Sequence, residues 1–374
     1  MIYLDNASTT HKKPRSVIKA VKNGVTRLSV NSSRGGYKLA VDGGLEVLKT
    51  RELLANHFNA SSENVVFTAS CTAAINLALR GTARPNGHIV ATAMEHNSVL
   101  RTLNDLKDKY NINFTIVEPQ NGVINPSNIE QAITNKTYLV VTIHTSNVTG
   151  ATNDIFSIGN ICKKHNLLYM VDGAQSCGHI KVDLKKNNIN MFTIAGHKGF
   201  FAPQGIGVLI SNNVKIKPLI TGGTGTYSES INQPTESPEG LESGTQSMPC
   251  ILGLKAGVEY VERNFDKLNN KMKKLTTVLY NYLSENKKIK LYSFNPESGV
   301  MSFNIIGYSS SEVGDYLSEK YNICVRTGLH CAPLIHQVNS TLSTGMVRVC
   351  INGFNKKHDI HVLIKALENF TKDC

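Results

Sequence analysis

The sequence lacks the spaced cysteine pairs that hold zinc or an iron–sulfur cluster. Its eight cysteines are dispersed among 374 residues, at positions 71, 162, 177, 250, 324, 331, 350 and 374. No two of them form a C-x-x-C pair, so the sequence argues against a metal centre of that kind, and we expect no bound metal. In a reducing compartment these cysteines should be free thiols, mostly buried as small apolar residues.

Long apolar runs are also missing, and with them the signature of a transmembrane helix. Hydrophobic residues make up 41% of the chain and charged residues 18%, a balance typical of a globular protein that folds throughout. The start Met1-Ile2-Tyr3-Leu4-Asp5-Asn6 does not have the basic-then-apolar layout of a secretory signal. We therefore expect a cytoplasmic protein with no membrane partner.

Positive charge is abundant, but it is not concentrated. The formal net charge is +12, which would attract a polyanion or an acidic protein. The densest lysine stretch, Asn269-Asn270-Lys271-Met272-Lys273-Lys274, has the pattern of a solvated helix face. Nucleic-acid binding is therefore not expected as the main function.

Short apolar runs alternate with helical stretches between about residues 60 and 210. The candidate strands are apolar on successive residues, as strands buried on both faces are, and the lengths between them suit crossover helices. They predict an α/β fold whose large domain has a mainly parallel sheet flanked by helices. These candidates are 64–68, 88–92, 113–117, 138–143, 167–172, 191–195 and 207–210.

The C-terminal third has a different pattern. Residues 222–244 are rich in Gly, Ser, Thr and Pro, which predicts a long surface loop. Apolar residues then recur every three or four positions from Leu254 to Leu283, which predicts one long helix. Further short runs after it predict a smaller α+β domain, with candidate elements at 299–306, 311–320, 323–327 and 346–351.

These patterns divide the chain into four parts. Residues 1–14 form an N-terminal segment that packs on the domains, and residues 15–250 form the large domain. Residues 251–285 form a long linking helix, and residues 286–374 form the small C-terminal domain.

Two strand ends carry residues suited to a Schiff-base cofactor. Lys198 follows the strand that begins at Met191, and Asp172 ends the preceding strand. Ligands of such sheets bind at the carboxyl ends of the strands, where a lysine can attach a cofactor and a carboxylate can hold a protonated ring nitrogen. Taken singly, each residue also has an ordinary interpretation, a surface lysine in a turn and a helix-capping aspartate.

The turn from Thr68 to Asn76 (T-A-S-C-T-A-A-I-N) joins a strand to a helix through small polar residues. A helix N-terminus offers free N–H groups and a positive dipole end, so this turn is a candidate phosphate site, although ordinary Ser/Thr capping gives the same pattern. No Walker lysine motif or G-x-G-x-x-G run accompanies it, which argues against a nucleotide as the ligand whose phosphate binds there.

Cys331 differs from the other cysteines in its surroundings. It lies in a glycine-containing loop bounded by Pro333, with Arg326 and His330 close enough in sequence to favour a thiolate. This context predicts a mobile, exposed nucleophile. A zinc site through Cys324, His330 and Cys331 is the alternative, but it lacks the usual ligand spacing.

Several motifs together resemble the class V, fold-type I family of pyridoxal-phosphate-dependent, aminotransferase-like enzymes, over nearly the whole chain. The element from Arg326 to Pro333 (R-T-G-L-H-C-A-P) is similar to that of the SufS/selenocysteine-lyase-like group of cysteine desulfurases. The others are L-D-N-A-S-T-T from Leu4, M-E-H-N-S from Met94, H-T-S-N-V-T-G from His144, V-D-G-A-Q from Val171 and G-H-K from Gly196.

The resemblance implies a role for each matched residue. Lys198 would attach pyridoxal 5'-phosphate, Asp172 would pair with the ring nitrogen, Gln175 would contact the ring hydroxyl and His96 would stack on the ring. The remaining roles are phosphate binding by Ser70, Cys71, Thr72 and His197, phosphate binding from a second subunit by Thr245, and substrate-carboxylate binding by Asn147 and Arg348. Lys198, Cys331 and His96 would be the catalytic residues.

The chain departs from the family pattern at three positions. Ala195 stands where relatives often have a phosphate-binding serine, and Cys71 stands where threonine is usual. Each change removes a hydroxyl from the phosphate site. Leu329 stands where a histidine is frequent.

The resemblance implies a homodimeric cysteine desulfurase that converts L-cysteine into L-alanine and leaves a Cys331 persulfide for a sulfur-acceptor protein, as in iron–sulfur cluster assembly. A selenocysteine lyase acting on L-selenocysteine would share nearly every residue. A class V aminotransferase or β-lyase would release a different product. A non-enzymatic, cofactor-binding sulfur-relay scaffold would release no alanine.

Overall fold

A seven-stranded sheet forms the centre of the molecule, whose computed structural model describes residues 1–32, 35–294 and 298–372. The strand order is β2-β8-β7-β6-β5-β3-β4, and β4, β3, β5, β6 and β7 run parallel while β8 is antiparallel to both of its neighbours. The strands are β2 (Val65–Thr68), β3 (His88–Thr92), β4 (Asn113–Val117), β5 (Thr137–Ile143), β6 (Leu168–Asp172), β7 (Met191–Ala195) and β8 (Gly207–Ser211). The predicted mainly parallel α/β sheet is confirmed.

Successive residues of these strands are buried on opposite faces of the sheet. In β8, Val208 and Ile210 belong to one apolar core, whereas Leu209 belongs to the core on the other face. Strand side chains alternate between faces, so a strand with cores on both sides must be apolar at every position. This is why the apolar runs identified the strands.

Helices cover both faces of this sheet. They are α1 (Arg15–Thr26), α2 (Lys38–Phe58), α3 (Cys71–Gly81), α4 (Asn97–Tyr110), α5 (Pro126–Gln131) and α6 (Ile155–Lys164). Several end at an asparagine in the left-handed conformation, for example Asn59 after α2 and Asn111 after α4. Asparagine tolerates that conformation and so ends a helix cleanly.

A second, four-stranded antiparallel sheet has the order β12-β13-β10-β9. Its strands are β9 (Ile289–Leu291), β10 (Val300–Ile305), β12 (Arg326–Gly328) and β13 (Met346–Cys350), and β11 (Ile323–Cys324) pairs in parallel with the N-terminal β1 (Ile2–Tyr3). The associated helices are α8 (Ser310–Tyr321), α9 (Pro333–Val338) and α10 (Lys357–Lys372). β9, α9 and α10 were not predicted from the sequence.

Helix α7 (Met248–Glu285) contributes to the cores of both sheets. Leu254 and Val258 pack in the core of the seven-stranded sheet, and Leu275 and Leu279 pack in the core of the four-stranded sheet. The apolar stripe therefore identified this helix correctly. The exact domain boundaries at residues 14, 250 and 285 stay a prediction.

The segment 222–244 is largely exposed and contains a single short 3-10 turn, Glu239–Leu241. The prediction of a surface loop is confirmed there. Within the described ranges, no helix is both long enough and apolar enough to cross a membrane.

Candidate active site

A cavity of about 220 Å³ lies at the carboxyl ends of the parallel strands and is lined by residues from both sheets. The cavity brings together most of the residues that the sequence singled out. Its predicted members are Ser70, Cys71, Thr72, His96, Asn147, Asp172, Gln175, His197, Lys198 and Arg348. Ser8, Ser98 and Arg326 also line it. The sequence placed Arg326 beside Cys331 but gave Ser8 and Ser98 no role in the site.

Lys198 and Asp172 reach the cavity from neighbouring parallel strands. Asp172 is the last residue of β6 and pairs in register with Thr193 of β7, and the backbone N–H of Lys198 donates to the Ala195 carbonyl to close the turn that follows. Burial lowers the pKa of Lys198, while the nearby Asp172 carboxylate opposes the shift. Burial thus favours a neutral, nucleophilic amine, as covalent attachment of an aldehyde requires.

Asp172 is 2% exposed, and its Oδ1 atom accepts hydrogen bonds from the Ala174 N–H at 2.9 Å and from the Cys71 thiol at 3.8 Å. Burial raises the pKa of Cys71, and Asp172 adds to that shift. Cys71 is therefore a protonated donor at neutral pH. Its thiol is directed at the Asp172 carboxylate.

His96 caps the N-terminus of α4. Its Nδ1 atom accepts from the Ser98 N–H at 3.1 Å and lies 2.8 Å from the Ser98 hydroxyl. Burial lowers the pKa of His96 to about 4, so the ring is neutral at pH 7 and its proton resides on Nε2. This tautomer is set by the cap and leaves Nε2–H free to donate within the cavity.

The turn before α3 has the features of an anion site. Ser70 is the N-cap of the helix, its Oγ accepting from the Ala73 N–H at 3.1 Å, and the Thr72 hydroxyl lies 2.8 Å from the Ser98 hydroxyl. Gly207 of β8 lets the turn approach, since a Cβ there would lie 2.2 Å from the Ser70 carbonyl carbon. Exposed N–H groups at a helix start favour a phosphate.

His197 supplies a buried polar atom that needs a partner. Its Nδ1 atom has none among the described residues, and burial lowers its pKa to about 4, with Lys198 and Lys13 adding to the shift. A buried nitrogen of this kind is costly unless a ligand or water pairs with it. The residues present therefore fit pyridoxal phosphate: an amine, a buried carboxylate, a helix start and an unpaired imidazole share one cavity.

Arg348 of β13 is 1% exposed and is held on three sides. Its guanidinium donates to the Asn147 carbonyl at 2.9 Å, to Asp5 Oδ1 at 2.7 Å and to the Ser8 hydroxyl at 2.8 Å. Its Nε–H has no partner within the described part of the chain. The side chain is fixed and partly unsatisfied, as a binding site for a carboxylate should be.

Asn147 and Gln175 are each anchored by one backbone carbonyl. The Asn147 amide donates to the His330 carbonyl at 2.7 Å, and the Gln175 amide donates to the Ala7 carbonyl at 3.0 Å. Asn147 therefore links the end of β5 to the loop that carries the thiol, and Gln175 links the end of β6 to the N-terminal segment.

Cys331 lies in the loop between β12 and α9. Its sulfur is half-buried and accepts a hydrogen bond from Arg326 Nη2 at 3.3 Å, and its carbonyl accepts from the Asn97 N–H at 2.7 Å. The thiol is therefore half-buried rather than exposed, and the mobility of its loop stays a prediction. Arg326 is the cation in contact with the sulfur.

His330 does not help to ionise Cys331, contrary to the sequence-based expectation. The residue has a positive φ of 51° and its ring is turned into the core, where Nε2 lies 3.1 Å from the Met346 carbonyl. Burial lowers its pKa to about 2, so the ring is neutral and carries no charge with which to stabilise a thiolate.

Thr245 does not line this cavity. It is exposed, lies 3.4 Å from the Asn31 amide, and lines a separate apolar cavity with Leu219 and Ile220. The seven described cysteines are all free thiols, and Cys374 lies outside the described residues. Among the described residues, no cluster of three or more His, Cys, Asp or Glu side chains could hold a metal ion.

The whole chain is similar in sequence and in fold to known proteins. The family described as Aminotransferase class-V matches residues 2–363. A probable cysteine desulfurase of Methanothermobacter thermautotrophicus is 33% identical, over 98% of this chain and 94% of that protein, and one of Borreliella burgdorferi is 30% identical, over 100% and 92%. The apo structure of a cysteine desulfurase from Thermococcus onnurineus superimposes with a TM-score of 0.93 at 28% identity, covering 100% of this chain and 95% of that one.

Proposed function

The chain belongs to the aminotransferase class-V family, and on that premise we propose that it is a pyridoxal-phosphate-dependent cysteine desulfurase. The reaction removes sulfur from L-cysteine, releases L-alanine and leaves a persulfide on Cys331. The observation that carries this proposal is the contact between Arg326 and the Cys331 sulfur at the rim of the cavity that holds Lys198 and Asp172.

Side chains that line the cavity have polar groups that could contact the cofactor and would hold it. Lys198 would attach it, Asp172 would hold the ring nitrogen, Gln175 would hold the ring hydroxyl, and His96 would lie against the ring. Ser70, Cys71, Thr72 and His197 would bind its phosphate. When bound, pyridoxal phosphate supplies an aldehyde for amine attachment and a ring that withdraws electrons from the α-carbon of an amino acid.

Arg348 and Asn147 orient the substrate. Arg348 is fixed by three hydrogen bonds and has an unpaired Nε–H, so it can take a substrate carboxylate without first being ordered. Lys198 then removes the proton from the α-carbon, because burial lowers the pKa of its amine and so favours the neutral form that can act as a base.

His96 and Cys331 act at the substrate sulfur. His96 exchanges a proton there through Nε2, the nitrogen that its cap on α4 leaves free. The Cys331 thiolate attacks the substrate sulfur, so that an S–S bond forms while the bond from sulfur to the β-carbon breaks and its electron pair stays with carbon. Protonation of that carbon completes L-alanine, and the persulfide remains on the protein.

A homodimer is supported by an exposed apolar stripe on α2. Val41, Leu45 and Leu48 lie on one face of the helix and are 49%, 47% and 44% exposed. The cavity beside Leu48 is also lined by Gly244 and Gln246, the residues on either side of Thr245. A second copy seated on this stripe would bury it and carry Thr245 toward the partner's cavity.

A product assay tests the proposal. The purified holoenzyme is incubated with L-cysteine and dithiothreitol, and visible absorbance, sulfide and alanine are measured together. We expect equal amounts of alanine and sulfide. Pyruvate in place of alanine would identify a β-lyase, pyridoxamine phosphate an aminotransferase, and a faster reaction with L-selenocysteine a selenocysteine lyase.

The Cys331→Ala variant tests the nucleophile. It should keep the visible absorbance of the cofactor, since the Lys198 turn does not depend on the thiol, and should lose alanine formation from L-cysteine. Cys250→Ala is the matched control, because Cys250 is also half-buried, but its thiol donates to the Gln204 carbonyl, whereas the Cys331 sulfur contacts Arg326 of the cavity lining. Full alanine formation by Cys331→Ala would show that the thiol assignment is wrong.

The sulfur acceptor is a protein of still undefined identity. A net charge of +12 suits an acidic carrier, since complementary charge speeds encounter. We propose a cytoplasmic setting, in which the described cysteines stay reduced.

A further inference from the structure

The hydroxyl of Ser8 lies among three charged side chains of the active site. It donates to Asp5 Oδ1 at 2.8 Å and accepts from Arg348 Nη2 at 2.8 Å and from Arg326 Nη1 at 3.3 Å. A serine hydroxyl has one proton and two lone pairs, so all of its hydrogen-bonding capacity is used here.

The two arginines that share this hydroxyl serve different parts of the reaction. Arg326 bridges Ser8 and the Cys331 sulfur with its two terminal nitrogens, at 3.3 Å in each case. Arg348 bridges Ser8 and the Asn147 carbonyl. Ser8 thus touches both the cation that faces the thiol and the cation that faces the substrate carboxylate.

The charges explain why a hydroxyl is useful at this point. Two guanidinium groups close together repel each other, and Asp5 is hydrogen-bonded to Arg348 but its contact with Arg326 runs through Ser8. Because its proton is directed at Asp5, the hydroxyl oxygen presents its negative end to both cations. It is one of the acceptors that orient each guanidinium, and planar donors lose their directional effect when they rotate.

We propose that Ser8 is a positioning residue that holds Arg326 against the Cys331 sulfur and Arg348 toward the substrate carboxylate. One hydroxyl then sets both the ionisation of the thiol and the binding of the amino acid. The second half of this statement rests on the proposed function, whereas the first half concerns the thiol alone and is measured without substrate.

The ionisation of Cys331 is measured on the holoenzyme by its rate of alkylation with iodoacetamide across pH, following the Cys331 peptide by mass spectrometry. The thiolate displaces iodide from carbon, so the rate reports the ionised fraction. In Ser8→Ala we expect the midpoint to rise by roughly 0.5 to 1 pH unit, because Arg326 is no longer held against the sulfur.

Steady-state kinetics with L-cysteine give the second readout. Ser8→Ala should raise KM by about three- to tenfold through the loosened Arg348. Its kcat should fall at neutral pH and recover at alkaline pH, where the thiol ionises without help. Loss of packing alone would lower kcat at every pH.

Thr9→Ala is the matched control, since it removes the neighbouring hydroxyl, which lies 3.4 Å from the His197 carbonyl and contacts neither arginine. It should leave the alkylation profile of Cys331 as in the wild type. An equal shift in Thr9→Ala, or no shift in Ser8→Ala, would overturn the proposal.

Arg326→Lys keeps the positive charge, but a single ammonium cannot bridge the Ser8 hydroxyl and the Cys331 sulfur as the guanidinium does. This variant therefore tests the proposal even if Ser8→Ala does not fold. It should give the same alkylation shift, and the double variant should shift no further than either single one. Additive shifts would show that Ser8 does not act through Arg326. If the wild type forms no alanine, the proposed function fails, and the alkylation cycle still decides the role of Ser8.

Discussion

Acid should destabilise this protein through His144, a histidine that folding moves from water into the core at the end of β5. The residue is 3% exposed, its backbone N–H donates to the Asp172 carbonyl, and its Nδ1 atom has no partner among the described residues. Burial lowers the pKa of His144 to about 4. The charged ring is therefore disfavoured in the folded state.

The size of the effect follows from the two pKa values. The unfolded chain has the ordinary pKa near 6.5, so between that value and about 4 it binds more protons than the folded protein. The free energy of unfolding therefore falls as the pH falls through this window. Between pH 7 and pH 5 the loss from His144 alone is about 2 kcal/mol.

The assay compares urea unfolding at pH 7 and pH 5, followed by circular dichroism. We expect His144→Gln to lose about 2 kcal/mol less between the two pH values than the wild type does. His358→Gln, an exposed control, should behave as the wild type does. If His144→Gln and the wild type lose equal stability, the ring is already charged or solvated in the fold and the reasoning is refuted.

Two further predictions concern stability and assembly. Glu242→Gln leaves Arg51 without the carboxylate that it pairs with in the core. The free energy of unfolding should fall by about 3–5 kcal/mol, and the double variant Arg51→Met/Glu242→Leu should restore part of it. An unchanged free energy of unfolding would mean that water already solvates Arg51. Leu45→Lys places a charge in the exposed stripe on α2. In light scattering it should convert the proposed dimer to a monomer, whereas Ile306→Lys, exposed elsewhere, should not. A dimeric Leu45→Lys would exclude the stripe as the interface.

The sequence predicts those parts of the fold whose environment is uniform along the chain. The central strands of the large sheet, such as β5, β7 and β8, are buried at every position and so are largely apolar, and the stripe of α7 repeats over many turns. The antiparallel direction of β8 and the short β9 leave no such pattern, because direction and pairing depend on distant partners.

The same contrast, between local sequence patterns and contacts with distant residues, decides which parts of the site the sequence predicts. Lys198 and Asp172 are predictable because each follows a recognisable strand, and strand ends meet at one edge of the sheet. Ser8 is not, since its partner Arg348 lies 340 positions away in the sequence. The role predicted for His330, to favour the Cys331 thiolate, is wrong. Proximity in sequence to Cys331 does not reveal that His330 has a positive φ and that its ring is turned into the core.

The span of α7 also bears on how this protein loses its structure. Because α7 is one continuous helix whose two halves are embedded in different cores, unfolding of either core exposes the apolar stripe of the half that it held and frays the helix toward the other half. Heat or denaturant should therefore dismantle the amine-bearing and thiol-bearing parts in a single event. The protein would then not pass through a state in which the turn of Lys198 is intact while the loop of Cys331 has melted.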